Sequence, residues 1–216
     1  MILIPPSEAV LLLVLLANFA VLGASRLTFT IRATAFQGLL LGLLPLILHR
    51  PWTHAGLILA GGTLLIKAVV LPGVLMWAMR EVAVRREVEP SLGPLGSVLA
   101  GVLALGLSLA IAGRLPALDP GLPPFLVATS FTTLMSGMLV LTTRRKAMAQ
   151  VVGYLLLENG VYLFGMILAG RVPLLVEVGV LLDLLVGVFI MGLVLFHMNR
   201  ELESLDSSRL SELYDG

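Results

Sequence analysis

Polar residues are scarce along this chain, and their positions divide it into blocks. Runs of Leu, Val, Ile, Ala and Gly alternate with short clusters rich in Arg, Pro, Asp and Glu. A helical run of about 20 apolar residues crosses a hydrocarbon core about 30 Å thick. The pattern predicts seven helices, over 8–24, 31–48, 55–79, 95–113, 122–142, 148–168 and 174–198. Turn signals separate them: "HRPWTH" at 49–54, "GRLPALDPG" at 113–121 and "AGRVP" at 169–173. The expected fold is all-α, a polytopic membrane protein. The long charged connection "REVAVRREVEPSLGP" (80–94) divides a three-helix part, 1–80, from a four-helix part, 95–198, and 199–216 forms a tail.

Composition agrees with the pattern. Hydrophobic residues make up 58% of the 216 and charged residues 12%, about half the usual soluble share. The mean hydropathy is +1.05. The first apolar run lacks a basic stretch before it, so it reads as a retained span and not as a signal peptide. The absence of cysteine excludes thiolate zinc sites, iron–sulfur ligation and a cysteine nucleophile in this chain.

Charge changes the picture by giving the spans a direction. Ten Lys and Arg fall in one set of connections: Arg26, Arg32, Arg80, Arg85, Arg86, Arg144, Arg145, Lys146, Arg200 and Arg209. The other set holds Arg50, Arg114 and Arg171. The richer side is expected to face the cytoplasm. That puts the N-terminus outside and the C-terminus inside, in a prokaryotic cell membrane.

The remaining cation, Lys67, stands in the middle of the third span. Glu158 in the sixth and Asp183 in the seventh lie well inside apolar runs, and Glu177 lies near the outer end of the seventh. Helices six and seven form a hairpin turning near Arg171, so the rise of 1.5 Å per residue puts Glu158 and Asp183 at similar depth. Each mid-membrane charge costs about 2.5–3.5 kcal/mol on insertion scales, and three at one level imply a use. Carboxyls and a lysine in a low-dielectric setting suit a proton relay running in the membrane plane. Tyr154 and Tyr162 lie one turn either side of Glu158, and their hydroxyls are candidates to extend the relay. Glu158 is expected to couple through tyrosine or water to Asp183 on one side and Lys67 on the other. Pro72 should kink the third span beside Lys67. The run "TSFTTLMSG" (129–137) offers hydroxyls to its own backbone or to a neighbour, and Asn159 reads as interhelical glue. Gly179, Gly187 and Gly192 are expected close-packing positions in the seventh span.

These residues carry a resemblance. The segment "QVVGYLLLENGVYLFGMILAGRVPLLVEVGVLLDLLVGVFIMGLVL" (150–195) resembles the hydrogenase 4 component E family, membrane subunits of group 4 [NiFe] hydrogenases and formate hydrogenlyase-like complexes. "LIKAVVLPGVLMWAMR" (65–80) and the tail "LDSSRLSEL" (205–213) resemble the corresponding parts of that family. The last two spans are more distantly similar to the K subunit of respiratory complex I. Asp183 stands four residues before Gly187, as the second carboxylate does there; the first falls at Leu155, with Glu158 one turn further along.

The resemblance implies a non-catalytic subunit of an energy-converting respiratory complex. Lys67, Glu158 and Asp183 would be links in a mid-membrane path for protons or Na+. The [NiFe] centre and iron–sulfur clusters would lie in partner subunits, with no cofactor in this chain. The implied partners are antiporter-like membrane subunits, a connecting membrane-arm subunit and cytoplasmic hydrogenase-like subunits, with the lipid bilayer around them and no nucleic acid. Two other classes stay open on the sequence, a structural anchor and an independent ion transporter. His49, His54 and His197 offer no cross-helix haem pair, and the chain has neither a phosphate loop nor HExxH.

Overall fold

A computed structural model describes residues 5–48, 54–81, 92–115 and 122–169, together with Gly192 and Phe196. All regular elements among the described residues are helical. They are α1 (Pro6–Gly23), α2 (Leu27–Leu48), α3 (His54–Leu65), a π-helical turn (Ile66–Val70), α4 (Leu71–Glu81), α5 (Gly93–Ala112), α6 (Phe125–Thr143) and α7 (Ala147–Ala169). Because α3, the π turn and α4 run on as one rod, these make six segments long and apolar enough to cross a membrane. The seventh expected span, 174–198, lies outside the described residues apart from Gly192 and Phe196. Among the described residues, a Cβ added at Gly192 would meet nothing within 4 Å; Gly179 and Gly187 lie outside the described residues.

Each helix satisfies its backbone hydrogen bonds internally, which lets it lie in hydrocarbon. The helices are apolar on nearly every side, so small residues decide where they touch. The α6–α7 pair is antiparallel, with Gly137 against Leu157, Gly160 against Leu134 and Gly153 against Leu141. A Cβ on Gly160 would stand 2.5 Å from the Leu134 nitrogen, and one on Gly153 2.8 Å from that of Leu141. On α2, Gly38 and Gly42 let the third span approach. A Cβ on Gly38 would lie 2.7 Å from the Lys67 carbonyl oxygen, and one on Gly42 2.8 Å from the Leu64 Cβ.

The apolar core comes in two parts. One contains Leu22, Leu27, Ile31, Leu75, Val140 and Leu156; the other contains Leu11, Val14, Leu41, Leu44, Leu126 and Leu163. Along α1, α2, α6 and α7, the residues of the first part lie toward the Arg26 and Arg144 end. Those of the second lie toward the opposite end. Between the two parts every one of these helices carries a buried polar side chain: Asn18, Gln37, Thr133, Glu158 and Asn159.

Arg144, one of the charges behind the expected orientation, has a structural position. It is 3% exposed, and its guanidinium donates to the carbonyls of Leu22 at 3.0 Å and Ala24 at 3.2 Å. These carbonyls lie at the C-terminal end of α1, where helical acceptors lack intrahelical donors and the macrodipole favours a cation. Burial lowers the Arg144 guanidinium pKa from its ordinary value. The Arg144 carbonyl in turn accepts from Gln150 Nε2 at 3.1 Å, tying the α6–α7 turn together.

Candidate functional site

The polar layer between the two apolar cores is built around Lys67. Proline at 72 has no N–H to donate, which loosens the helical ladder one turn upstream. The expected irregularity is present, but it is a π turn over Ile66–Val70, before the proline and around the lysine itself. Within it Leu71 N–H donates to the Ile66 carbonyl, five residues back. The extra residue per turn rotates α4 by about 100° relative to a continuous α-helix. Gly38 of α2 abuts this turn, so the lysine backbone is packed tightly and its side chain enters the bundle.

Lys67 is 5% exposed and Glu158 is 3% exposed. Lys67 Nζ donates to Glu158 Oε1 in a buried ion pair. The two residues touch directly, needing neither tyrosine nor water between them. Glu158 is the central residue of the Met148–Leu168 span, so the pair sits at mid-membrane level. Lys67 Nζ also lies 3.4 Å from Asn159 Oδ1 and 5.2 Å from the Tyr162 ring centroid, over the negative face of the ring. Tyr162 thus contributes its ring to the site. Tyr154 packs beside the apolar core at the Arg144 end. Asp183 and Glu177 lie outside the described residues.

From Lys67 a directed row of hydrogen bonds crosses the bundle. Asn159 Nδ2 donates to Gln37 Oε1 at 3.1 Å, Gln37 Nε2 to Asn18 Oδ1 at 2.8 Å, and Asn18 Nδ2 to Thr133 Oγ1 at 2.9 Å. Thr133 Oγ1 ends the row on the Thr129 carbonyl at 2.7 Å. Amide oxygens and nitrogens here are oriented by this network. Asn159 therefore does act as interhelical glue, and it also touches the charged pair. The other α6 hydroxyls largely turn back on their own helix, Ser130 to Val127 and Thr132 to Ala128.

Asn18 and Gln37 are site residues that sequence reasoning missed. Each is a single amide inside an apolar run, in "LLANFAV" and "TAFQGLL". The usable signal is a lone polar residue at the same depth as the ionisable ones. Amides carry no charge, so they do not stand out beside Lys67 and Glu158.

Chemically the layer has two unlike halves. The Lys67–Glu158 pair is made of ionisable groups. The amide row cannot readily carry a proton, because an amide would have to pass through its imidic tautomer to do so. It holds geometry and polarises toward the lysine, since every amide oxygen in it faces the Lys67 side.

The chain is 32% identical over 205 residues to the uncharacterized protein Rv0085 of Mycobacterium tuberculosis, covering 93% of this chain and 92% of that one. The chain belongs to the family of Rv0085. It is also similar to hydrogenase-4 component E of Escherichia coli K12 and of Shigella flexneri, 28% identical over 158 residues and 73% of each chain. That distant homology supports the hydrogenase 4 component E resemblance carried by residues 150–195 and 65–80. No protein-family model and no solved structure matches the chain.

Proposed function

We propose that this protein is a non-catalytic membrane subunit of an energy-converting, hydrogenase-type respiratory complex. In this reading the Lys67–Glu158 pair is one station of its mid-membrane ion path. Homology to a component of hydrogenase-4 and the six apolar spans support the subunit. The single observation that supports the station is the buried ion pair at mid-span, where an uncompensated charge is expensive.

The surrounding packing suits an in-plane route. Apolar cores lie on both sides of the polar layer and oppose passage straight across the membrane. A proton delivered to Glu158 neutralises its carboxylate and loosens its hold on Lys67. The ammonium then leans on Asn159, 3.4 Å away, and on the Tyr162 ring. When the proton leaves, the ion pair reforms. The amide row does not conduct, so exchange is directed toward the Glu158 side, where Asp183 of the seventh span is the proposed next carboxyl. The partners would be antiporter-like and connecting membrane subunits of such a hydrogenase-type complex. The metal clusters would then lie in cytoplasmic subunits. The transported ion is a proton in this scheme; Na+ would require Glu158 and its neighbours to act as ligands.

A second reading has its own support. The amide row ties α1, α2, α6 and α7 together, as a purely structural anchor would require. Glu158→Gln separates the two, because it keeps shape and hydrogen bonding but cannot titrate. Reconstituted in vesicles with its partner subunits, the Glu158→Gln complex should keep its electron-transfer activity and lose most ion pumping. Asp183→Asn should behave alike. Pumping at wild-type rates by both variants would leave only the anchor.

A further inference from the structure

An amide side chain turned over exchanges its oxygen for its NH2 group with no change of shape. Which atom Asn159 turns to Lys67 therefore depends on what fixes the direction of the amide row. Its two ends have unlike chemistry. Lys67 Nζ can only donate, and it lies 3.4 Å from Asn159 Oδ1. The Thr129 carbonyl can only accept, and it takes the Thr133 hydroxyl proton at 2.7 Å. With its one proton committed, Thr133 Oγ1 is left to accept from Asn18 Nδ2 at 2.9 Å. Asn18 Oδ1 is then the atom turned to Gln37 Nε2, and Gln37 Oε1 the atom turned to Asn159 Nδ2. Each bond sets the next across α1, α2, α6 and α7. The 3.4 Å contact with Lys67 is long for a hydrogen bond, so the row is held more firmly at its Thr133 end.

We propose that Thr133 is a positioning residue for the Lys67–Glu158 pair. Its hydroxyl dictates, through Asn18 and Gln37, that Asn159 presents oxygen to the lysine. The use of that orientation rests on the reading of the pair as a station in an ion path. When the hold of Glu158 on the ammonium loosens, Asn159 Oδ1 is the acceptor that takes it. An amide turned the other way would set donor against donor and oppose that movement. Thr133 is fully buried and stands three amides away from the lysine, so its influence travels only through the row. Its neighbour Thr132 supplies a contrast. It is equally buried, but its hydroxyl turns back on the Ala128 carbonyl at 2.7 Å and is no part of the row.

The chain has two lysines, Lys67 and the exposed Lys146. The full-length protein labelled with ¹⁵N-lysine in detergent micelles therefore gives two Nζ resonances, one at the site and one as internal control. Thr133→Val keeps the shape and removes the hydroxyl. It should displace the Lys67 line by more than its width and leave the Lys146 line in place. Thr133→Ser restores the hydroxyl on a smaller side chain and should return the line to its wild-type position. Thr132→Val, the same change one residue away, should move neither line. Thr133→Cys, a weaker donor and acceptor, should give a smaller displacement, and it replaces the valine variant if that does not fold. In the assembled complex in vesicles, Thr133→Val should cut the ions pumped per electron about tenfold, the weight of one hydrogen bond to a charged group, while Thr133→Ser stays near wild type. A Lys67 line unmoved by both Thr133→Val and Thr133→Cys, or moved as far by Thr132→Val, overturns the positioning role. A displaced line with pumping intact overturns its use in the ion path. Wild-type pumping by Glu158→Gln would remove the station reading instead, and a Lys67 line displaced by Thr133→Val would still establish the positioning.

Discussion

Removing both members of the Lys67–Glu158 pair should be no more damaging than removing one. The two side chains are 5% and 3% exposed and lie at mid-span. Lys67→Met leaves the Glu158 carboxylate in that setting without its cation. Glu158→Gln leaves the ammonium beside Asn159 and the Tyr162 ring without its carboxylate. Breaking a buried pair from one side costs about 3–5 kcal/mol. The membrane reference state lets stranded polar groups find other partners, so the lower figure is the better one here. Each single variant should therefore lose about 3 kcal/mol. Independent effects would sum to about 6 kcal/mol in the double variant. The Met/Gln combination instead leaves no charge to bury, and each buried charge costs about 2.5–3.5 kcal/mol on insertion scales. Its loss should stay near 3 kcal/mol, a coupling of about 3 kcal/mol. The assay is equilibrium unfolding of the full-length chain in mixed dodecylmaltoside–SDS micelles, monitored by far-ultraviolet circular dichroism for all four proteins of the cycle. A double variant within about 0.5 kcal/mol of the sum of the singles would show that the two groups do not sense one another, and the site would lose its central interaction.

Arg144→Gln should cost about 1.5–3 kcal/mol through lost charged hydrogen bonds to Leu22 and Ala24, read in the same unfolding assay. Burial lowers the Arg144 pKa, which favours its neutral form, yet a guanidinium stays protonated well above physiological pH; its contribution should be flat from about pH 5 to pH 9, and a transition there that Arg144→Gln removes would contradict this. Gly160→Val should force α6 and α7 apart, because even a Cβ would meet the Leu134 nitrogen at 2.5 Å; a cost of at least about 1–3 kcal/mol is expected, and wild-type stability would refute the close crossing. Reporter fusions should find the N-terminus outside and the C-terminus inside, on the ten-to-three distribution of Lys and Arg between the two sets of connections; both termini on one side would overturn that orientation.

The placement of the six described spans was legible from the sequence because a membrane helix is a local object. It closes its own hydrogen bonds within one segment, so hydropathy and length suffice to find it. The predicted 148–168 became Ala147–Ala169, and 31–48 became Leu27–Leu48, with only the ends moved. Lys67 and Glu158 were equally legible, because a charge in an apolar run stands out whatever surrounds it.

Their partnership was not legible. The spans are apolar on nearly every side, and lipid is as apolar as leucine, so the pattern does not say which face of a helix turns inward. That choice was made by shape and by polar pairing between distant segments. Gly38 and Gly42 admit the third span against α2, while Gly137, Gly153 and Gly160 seat α6 on α7. The π turn sets the azimuth of Lys67, and proline alone predicted a kink without its register. Asn18, Gln37, Thr133 and Asn159 come from four helices and have meaning only once those helices meet. Arg144 shows the same division of labour. Its charge marked an end of the bundle, and only tertiary contact turned that charge into the cap of α1, because the acceptors it satisfies lie about 120 residues away in the chain.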